Sequence, residues 1–126
     1  MENNHVIHTQ IQPSFSDSRG DIYDIVEEPV SHVGMVTFTK GAVRGNHYHL
    51  KSVQYSYILD GEIEITTSAI DGSDKQVQVL KKGMHSVIPP NTIHTYKALT
   101  DASMLDMTTL NRKDDGYEKD TVRVQA

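Results

Sequence analysis

The sequence predicts an all-β protein in which many short strands close into a barrel or a sandwich. Runs rich in β-branched and aromatic residues, such as VGMVTFT at 33–39 and VQYSYIL at 53–59, recur along the chain with turn residues between them. No segment shows a long apolar pattern with the 3.6-residue period of a helix. With 126 residues, the chain suits a single domain over 1–126 with one modest core.

A hairpin is predicted near the middle of the chain. Asp60 and Gly61 lie between VQYSYIL and EIEITT, and such a pair is typical of a type I′ turn, which needs positive φ at both central residues. Within EIEI, Ile63 and Ile65 share one face because side chains alternate along a strand. We therefore expect two antiparallel strands joined by a tight turn.

Three further turns, IDGSDK, KKG and PPN, divide the second half of the chain. They separate the β-type runs QVQVL, MHSVI and TIHTYKAL, and a last strand is predicted within 103–110. The polar tail that follows can dock on the barrel through Tyr117, Val122 and Val124.

Composition excludes several functions. The hydrophobic fraction of 37% and the charged fraction of 23% are typical of a soluble globular protein. A net charge of −5 argues against a general nucleic-acid binder, and the absence of cysteine removes disulfides and thiolate sites. No apolar stretch reaches the roughly 20 residues that span a bilayer, and the initial MENNHVIHTQ lacks a signal pattern. We expect a cytoplasmic protein with neither a nucleic-acid nor a membrane partner.

Two of the seven histidines, His47 and His49, lie one residue apart, so in a strand their side chains face the same side. Gln54 is five residues beyond His49, so in one unbroken strand its side chain would face the opposite side. It can join the two histidines only if LKSV turns or bulges, and His94 lies in a separate strand. If all four converge, three imidazoles and one amide oxygen form a site for one divalent metal ion such as Zn, Fe, Ni or Mn. The alternative is a His-x-His pair on a solvated strand face, without a metal.

The spacing of these residues resembles the first motif of the cupin superfamily. From Gly41, five residues lead to His47 and His49, four more lead to Gln54, and six more lead to Gly61. Gln54 stands where the family has glutamate, which removes the usual carboxylate ligand of the metal.

A second cupin motif follows in register. Gly83, Pro89 and His94 fall at its spacings, and Ala98 replaces its final asparagine. The resemblance covers the motif core, 41–98, and implies a single cupin (jelly-roll) β-barrel with the site inside its mouth.

A narrower resemblance is to sugar-nucleotide cupins. The segments SDSRG and RGNHYH are similar to segments of dTDP-4-dehydrorhamnose 3,5-epimerases and dTDP-sugar 3,4-ketoisomerases. This implies catalysis without a metal, in which His47 is the base of the epimerases and His49 is the second histidine of the ketoisomerases. It also implies that Arg19 and Arg44 bind substrate, although Arg19 alternatively pairs with Asp17 or Asp21 in a turn.

Three functions remain open at this point. The first is an isomerase or epimerase that acts on a keto-sugar nucleotide by acid/base proton transfer through His47 and His49. The second is a metal-dependent cupin of another chemistry, such as an oxygenase, in which Gln54 and His94 complete the ligand set. The third is a non-catalytic module that binds a sugar or another small molecule. The exposed strand edges of a small barrel also predict a homodimer, by N-terminal strand exchange or edge pairing.

Neighbouring side chains are predicted to have other roles. Tyr48 lies between the two motif histidines, so its ring should face away from them and pack. Tyr55 and Tyr57 share the face opposite Gln54 and are expected to be structural or at a subunit contact. His85 is expected beside the site or at the surface rather than among the ligands.

Overall fold

The computed structural model describes residues 6–124, so the ends of the predicted domain and the first five residues of the amino-terminal stretch lie outside the described residues. Within this range no helix is long and apolar enough to cross a membrane. A 3₁₀ turn at Lys113–Asp115 leads into one short helix, α1 (Gly116–Asp120). The strands in chain order are β1 (Ile7–Gln10), β2 (Phe15–Asp17), β3 (Gly20–Ile22), β4 (His32–Phe38), β5 (Val43–His49), β6 (Gln54–Asp60), β7 (Glu62–Ala69), β8 (Gln76–Lys81), β9 (Met84–Ile88), β10 (Thr92–Ala98), β11 (Ala102–Thr108) and β12 (Thr121–Arg123).

Ten of these strands form two five-stranded antiparallel sheets that pack face to face. The first sheet has the order β1-β9-β6-β11-β4, and the second sheet has the order β12-β5-β10-β7-β8. β2 and β3 form a separate two-stranded hairpin. The predicted all-β jelly-roll fold is therefore confirmed.

The hairpin predicted at Asp60 and Gly61 is wrong, because the turn there joins two strands that do not pair. β6 pairs with β9 and β11 in the first sheet, whereas β7 pairs with β8 and β10 in the second. Gly61 has a φ of 81°, and a Cβ atom at this position would lie only 2.3 Å from the carbonyl oxygen of Asp101. Glycine thus allows the chain to bend sharply against the β10–β11 turn and to cross from one sheet to the other.

The apolar core lies between the two sheets. Ile58 and Ile88 of the first sheet meet Ile63, Ile65 and Leu80 of the second, and each of these side chains is at most 1% exposed. The alternation seen in EIEI therefore has its isoleucines on the inner face. The inner positions at the other end of the barrel are mostly polar, and these polar positions form the candidate site.

The tail docks on the second sheet, as its apolar residues predicted. β12 pairs with β5, with Val122 opposite Tyr48. The backbone N–H of Val124 donates to the carbonyl of Asn46 at 2.9 Å. Helix α1, which precedes this strand, brings Tyr117 to the mouth of the barrel.

Candidate active site

Three histidines meet inside the mouth of the barrel. His47 and His49 come from β5 and His94 from the adjacent β10, and their potential ligand nitrogens all lie within 4.8 Å of one another. The ring centroid of His47 lies 4.7 Å from that of His94 and 5.0 Å from that of His49. His94 is fully buried and His49 is nearly so, whereas His47 is half-buried and faces the cavity.

A bulge in β5 decides which residues face this cluster. His47 is opposite His94, but Gly45 is opposite Thr95, so β5 has one extra residue, Asn46, between these two pairs. Gly45 and Asn46 have φ values of 99° and 61°. Directly opposed residues share a face, so Arg44, opposite the buried Tyr96, points inward like His47 although the two are an odd number of residues apart.

Gln54 reaches the cluster from the opposite sheet. The chain turns between His49 and Gln54, which resolves the parity mismatch in the sequence, and Nε2 of His49 lies 3.0 Å from Oε1 of Gln54. The Gln54 amide also hydrogen-bonds the Tyr96 hydroxyl at 3.1 Å, and that hydroxyl lies 2.7 Å from Oγ of Ser56. On the other side of the His49 ring, Nδ1 lies 3.3 Å from the Thr121 hydroxyl, so both ring nitrogens are held by buried polar groups.

The tautomer of His94 follows from its backbone contact. Its Nδ1–H donates to the Thr92 carbonyl at 3.0 Å, so Nε2 carries the lone pair. That Nε2 atom is buried and has no hydrogen-bond partner among residues 6–124. An unsatisfied buried acceptor next to two other imidazoles is a position where a proton or a metal ion can bind.

Burial keeps the three imidazoles neutral at pH 7. It lowers the pKa of His47 to about 4, with a further contribution from the neighbouring His49. It lowers the pKa of His94 to about 3, again with a contribution from His47. The pKa of His49 is also lowered by burial, against the opposing effect of its hydrogen bond to Gln54. Neutral imidazoles can accept a proton or bind a metal.

The cluster opens onto a cavity of about 380 Å³, which is within the range that small-molecule ligands occupy. Arg44 lies in its wall, where its guanidinium stacks over the Phe38 ring at 5.4 Å and donates to the Thr37 carbonyl at 3.1 Å. The cavity is lined by Val36, Val43, Arg44, Gly45, His47, Gln54, Tyr96, Met104, Asp106, Arg112, Tyr117 and Arg123.

Arg19 is the predicted site residue that this chain brings neither to the cavity nor to the histidine cluster. It lies in the β2–β3 hairpin, its side chain is 85% exposed, and its guanidinium donates to Asp17 at 2.6 Å and 3.0 Å. Within one chain, Arg19 therefore pairs with Asp17 in the turn, as the alternative interpretation of the sequence predicted.

Sequence reasoning missed several polar residues of the site. Asp106, Arg112 and Arg123 line the cavity. Asp120 accepts backbone N–H groups of the turn that joins β5 to β6, and its carboxylate lies 3.9 Å from Nδ1 of His49. A signal existed for Asp106, which is an acidic residue in register with inward apolar residues of the predicted last strand. Asp120 gave no such signal, since the tail around it is polar throughout.

His85 lies outside the cluster. It is on the outer face of the first sheet, where its ring stacks on Tyr55 at a centroid distance of 5.9 Å. It is only 7% exposed, so a surface position is wrong, and its exclusion from the histidine cluster agrees with the geometry.

Comparison with known proteins places this architecture in a family. The cupin domain model matches residues 34–108, more than half of the chain, and the protein therefore belongs to the cupin domain family. No functionally curated protein gives a significant sequence match.

Solved structures with the same fold include sugar-nucleotide enzymes. The sugar 3,4-ketoisomerase QdtA from Thermoanaerobacterium thermosaccharolyticum, in complex with TDP, superposes with a TM-score of 0.77 at 19% identity over 94% of this chain and 88% of that chain. A 3,4-ketoisomerase from Helicobacter canadensis gives 0.77 at 17% identity, over 97% and 92%. The dTDP-4-dehydrorhamnose 3,5-epimerase from Sulfolobus tokodaii gives 0.72 at 19% identity, over 95% and 76%.

Proposed function

We propose that this cupin is an isomerase or epimerase that acts on a keto-sugar nucleotide. The observation that carries the proposal is the inward pairing of a neutral imidazole, His47, with Arg44 on one cavity wall. A planar guanidinium suits the diphosphate of a nucleotide sugar because it forms two parallel hydrogen bonds. Proteins of the same fold act on such sugars, and one has been determined with TDP.

The chemistry requires proton transfer beside a ketone. His47 removes the proton from the carbon next to the carbonyl, and the bonding electrons form an enolate. His49, whose ring centroid lies 5.0 Å from that of His47, is the second histidine of the proposed acid/base pair. Return of a proton to the same carbon from the other face gives an epimer. Protonation of the former carbonyl carbon instead, with transfer of the neighbouring hydroxyl proton to the former carbonyl oxygen, moves the ketone.

The experiment is a proton-exchange measurement. The protein is incubated with dTDP-4-keto-6-deoxyglucose in deuterium oxide, and the ring protons are followed by NMR. Deuterium at C3 supports proton abstraction, and a moved carbonyl identifies a ketoisomerase. The absence of exchange with this compound and with several other keto-sugar nucleotides would contradict the proposal.

A metal-dependent cupin is the second candidate, and the histidine cluster favours it. Three neutral imidazoles with the amide oxygen of Gln54 fit a divalent ion such as Zn, Fe, Ni or Mn, although the set has no negative charge to balance the ion. A bound ion would act as a Lewis acid on a ligand oxygen. His47, His49 and His94 would hold it, with Gln54 as the fourth ligand.

Replacement of the amide tests this ligand set. Gln54→Glu restores the carboxylate of the cupin motif, so we expect the affinity for Zn²⁺ or Ni²⁺ to rise about tenfold or more, the equivalent of about 1.4 kcal/mol. Isothermal titration calorimetry with protein purified without a histidine tag measures it. Gln78→Glu, the same change at an exposed position of β8, is the matched control. Equal affinities of the two variants would show that Gln54 is not a ligand.

We also propose a homodimer, because the outer face of the first sheet carries apolar residues in register. One row across the strands consists of Ile7, Val87, Tyr55, Met107 and Val33. The next contains Tyr57, Leu105 and Met35. Ile7, Val33 and Met35 are 55–66% exposed in the single chain. Tyr55 and Met107 in the middle of the row are already buried, so the exposed apolar side chains lie towards the edges of this face, where a second copy can cover them.

The β2–β3 hairpin adds a second apolar element to the proposed contact. Phe15 and Ile22 are cross-strand partners in it, and both are more than 50% exposed. Exchange of this hairpin between two copies would bury the pair. It is also the route by which Arg19, proposed as a substrate ligand, can reach a cavity.

A charge placed in the patch should break the dimer. We expect Met35→Glu to convert the protein from a dimer to a monomer at micromolar concentration, because pairing would bury two unbalanced carboxylates. Light scattering after size exclusion measures the mass. Val77→Glu, at a similarly exposed apolar position of β8 in the second sheet, should remain dimeric. A native protein that is already monomeric would refute the proposed assembly.

A further inference from the structure

A buried carboxylate lies in the cavity wall that belongs to the first sheet. Asp106, on β11, is 5% exposed and lines the cavity. Its Oδ2 accepts from the guanidinium of Arg112 at 2.7 Å. Its Oδ1 is buried and has no hydrogen-bond partner among residues 6–124. One oxygen of this carboxylate therefore has a hydrogen-bond partner in the protein, and the other oxygen has none among the described residues.

The residues directly opposite Asp106 supply no donor for Oδ1, and His32 of β4 interacts with the carboxylate electrostatically without a hydrogen bond to that oxygen. Asp106 is opposite Gly34 on β4 and Ser56 on β6. Gly34 has no side chain, and the Ser56 hydroxyl already pairs with Tyr96. A buried oxygen without a hydrogen-bond partner destabilises the folded protein. Its presence in the cavity wall, where the other groups are apolar or already hydrogen-bonded, points to a donor on a bound ligand.

Arg112 links this carboxylate to the histidine side of the cavity. Its guanidinium stacks over the Tyr117 ring at 4.4 Å. That ring lies 6.2 Å from the ring of His47 and 5.8 Å from that of His49. The carboxylate, the guanidinium and the phenol thus form one continuous wall, and a ligand that touches His47 lies beside it.

We propose that Asp106 is a specificity-determining residue: a small rotation of its side chain turns the unpaired oxygen, which solvent does not reach in the chain alone, toward the cavity, where it accepts a hydrogen bond from a hydroxyl group on the sugar of the ligand. This inference rests on the proposed function, since it assumes a sugar nucleotide in the cavity. Arg112 already balances the charge of the carboxylate, so the pair favours a neutral hydroxyl over an ammonium group. A site built to bind a hydroxyl strongly rejects an analogue that lacks it, because the oxygen is then left without a partner.

Asp106→Asn tests the inference with little change of shape. Arg112 retains the amide oxygen, so the amide N–H₂ replaces the charged acceptor, and a ligand hydroxyl can only accept from it in a weaker, neutral hydrogen bond. We expect the affinity for dTDP-glucose to fall about tenfold or more, with the affinity for dTDP unchanged. Isothermal titration calorimetry measures both ligands. Asp60→Asn, the same change at an exposed turn, is the matched control and should alter neither affinity.

A second measurement needs no variant. The native protein should bind one member of a series of dTDP-glucose analogues, each lacking a single sugar hydroxyl, at least about tenfold more weakly than dTDP-glucose. The Asn variant should distinguish that analogue from dTDP-glucose less strongly than the native protein does. Equal loss of dTDP and dTDP-glucose binding by the variant, or no discrimination by the native protein, would overturn the role of Asp106. Native protein that binds neither ligand would contradict the proposed function itself.

Discussion

Replacement of His47 by asparagine is expected to slow substrate proton exchange about 100-fold or more, the scale on which a positioned acid–base group acts. His47 faces the cavity, and burial lowers its pKa to about 4, so at pH 7 it is a neutral base. Asparagine keeps a polar side chain of similar reach but has no basic nitrogen. NMR of deuterium incorporation at C3 of the keto-sugar measures the rate.

Two control variants separate the base from other roles. Arg44→Gln should raise KM more than it lowers kcat, since Arg44 is proposed to hold phosphate in both the ground state and the transition state. His8→Asn, on β1 of the first sheet and not among the residues that line the cavity, should exchange at the native rate. If His47→Asn retains the native rate, another group is the base.

The pH dependence follows from the same pKa. His47 loses its free lone pair only as the pH falls through about 4, so exchange should persist well below neutrality and then decline. Unfolded histidine has its ordinary pKa of 6.5 and binds more protons than the folded side chain in this window. The free energy of unfolding therefore falls as the pH drops from 6.5 towards 4, and the folded fraction must be measured alongside the rate.

Strand patterns and motif spacing predicted the fold class and the histidine cluster. Alternation identified the isoleucines of β7, and the spacing of two motifs brought His47, His49 and His94 together. Alternation is a local property of the sequence, and the motif spacing is one that the cupin motifs define. The partner of each strand is not local, which explains the wrong hairpin at Asp60: an Asp-Gly pair favours a sharp turn, but whether the next strand pairs with the last one depends on the whole barrel.

The remaining site residues depend on long-range contacts that no local pattern contains. The pairing of Asp106 with Arg112 is such a contact, because Arg112 comes from the tail beyond β11, although the inward position of Asp106 itself follows from alternation. The inward direction of Arg44 depends on a bulge, since simple alternation would place it on the face opposite His47. For Arg19 the motif predicted a substrate contact, but within one chain the hairpin that carries it pairs it with Asp17 instead.

The bulge at Gly45 is the basis of the second large effect, and Gly45→Ala should impair both stability and exchange. A Cβ atom there would lie 2.7 Å from the His94 carbonyl oxygen, and the residue has a φ of 99°. The backbone conformation alone costs an alanine about 1–3 kcal/mol, and the clash with β10 adds to this. Since β10 carries His94 and the bulge sets the direction of His47, relief of the clash must move one or both histidines.

The chain offers a matched control for this prediction. Gly41 also has a positive φ, 87°, but nothing lies within 4 Å of a Cβ atom there. Gly41→Ala should therefore lower the free energy of unfolding, measured with urea, only by the cost of holding an alanine at positive φ. It should keep the native exchange rate. Gly45→Ala should unfold at lower urea and, among molecules that remain folded, exchange at least about tenfold more slowly, because small displacements of catalytic groups are costly. If the two alanine variants behave alike, the close approach of β5 to His94 does not set the geometry of the site.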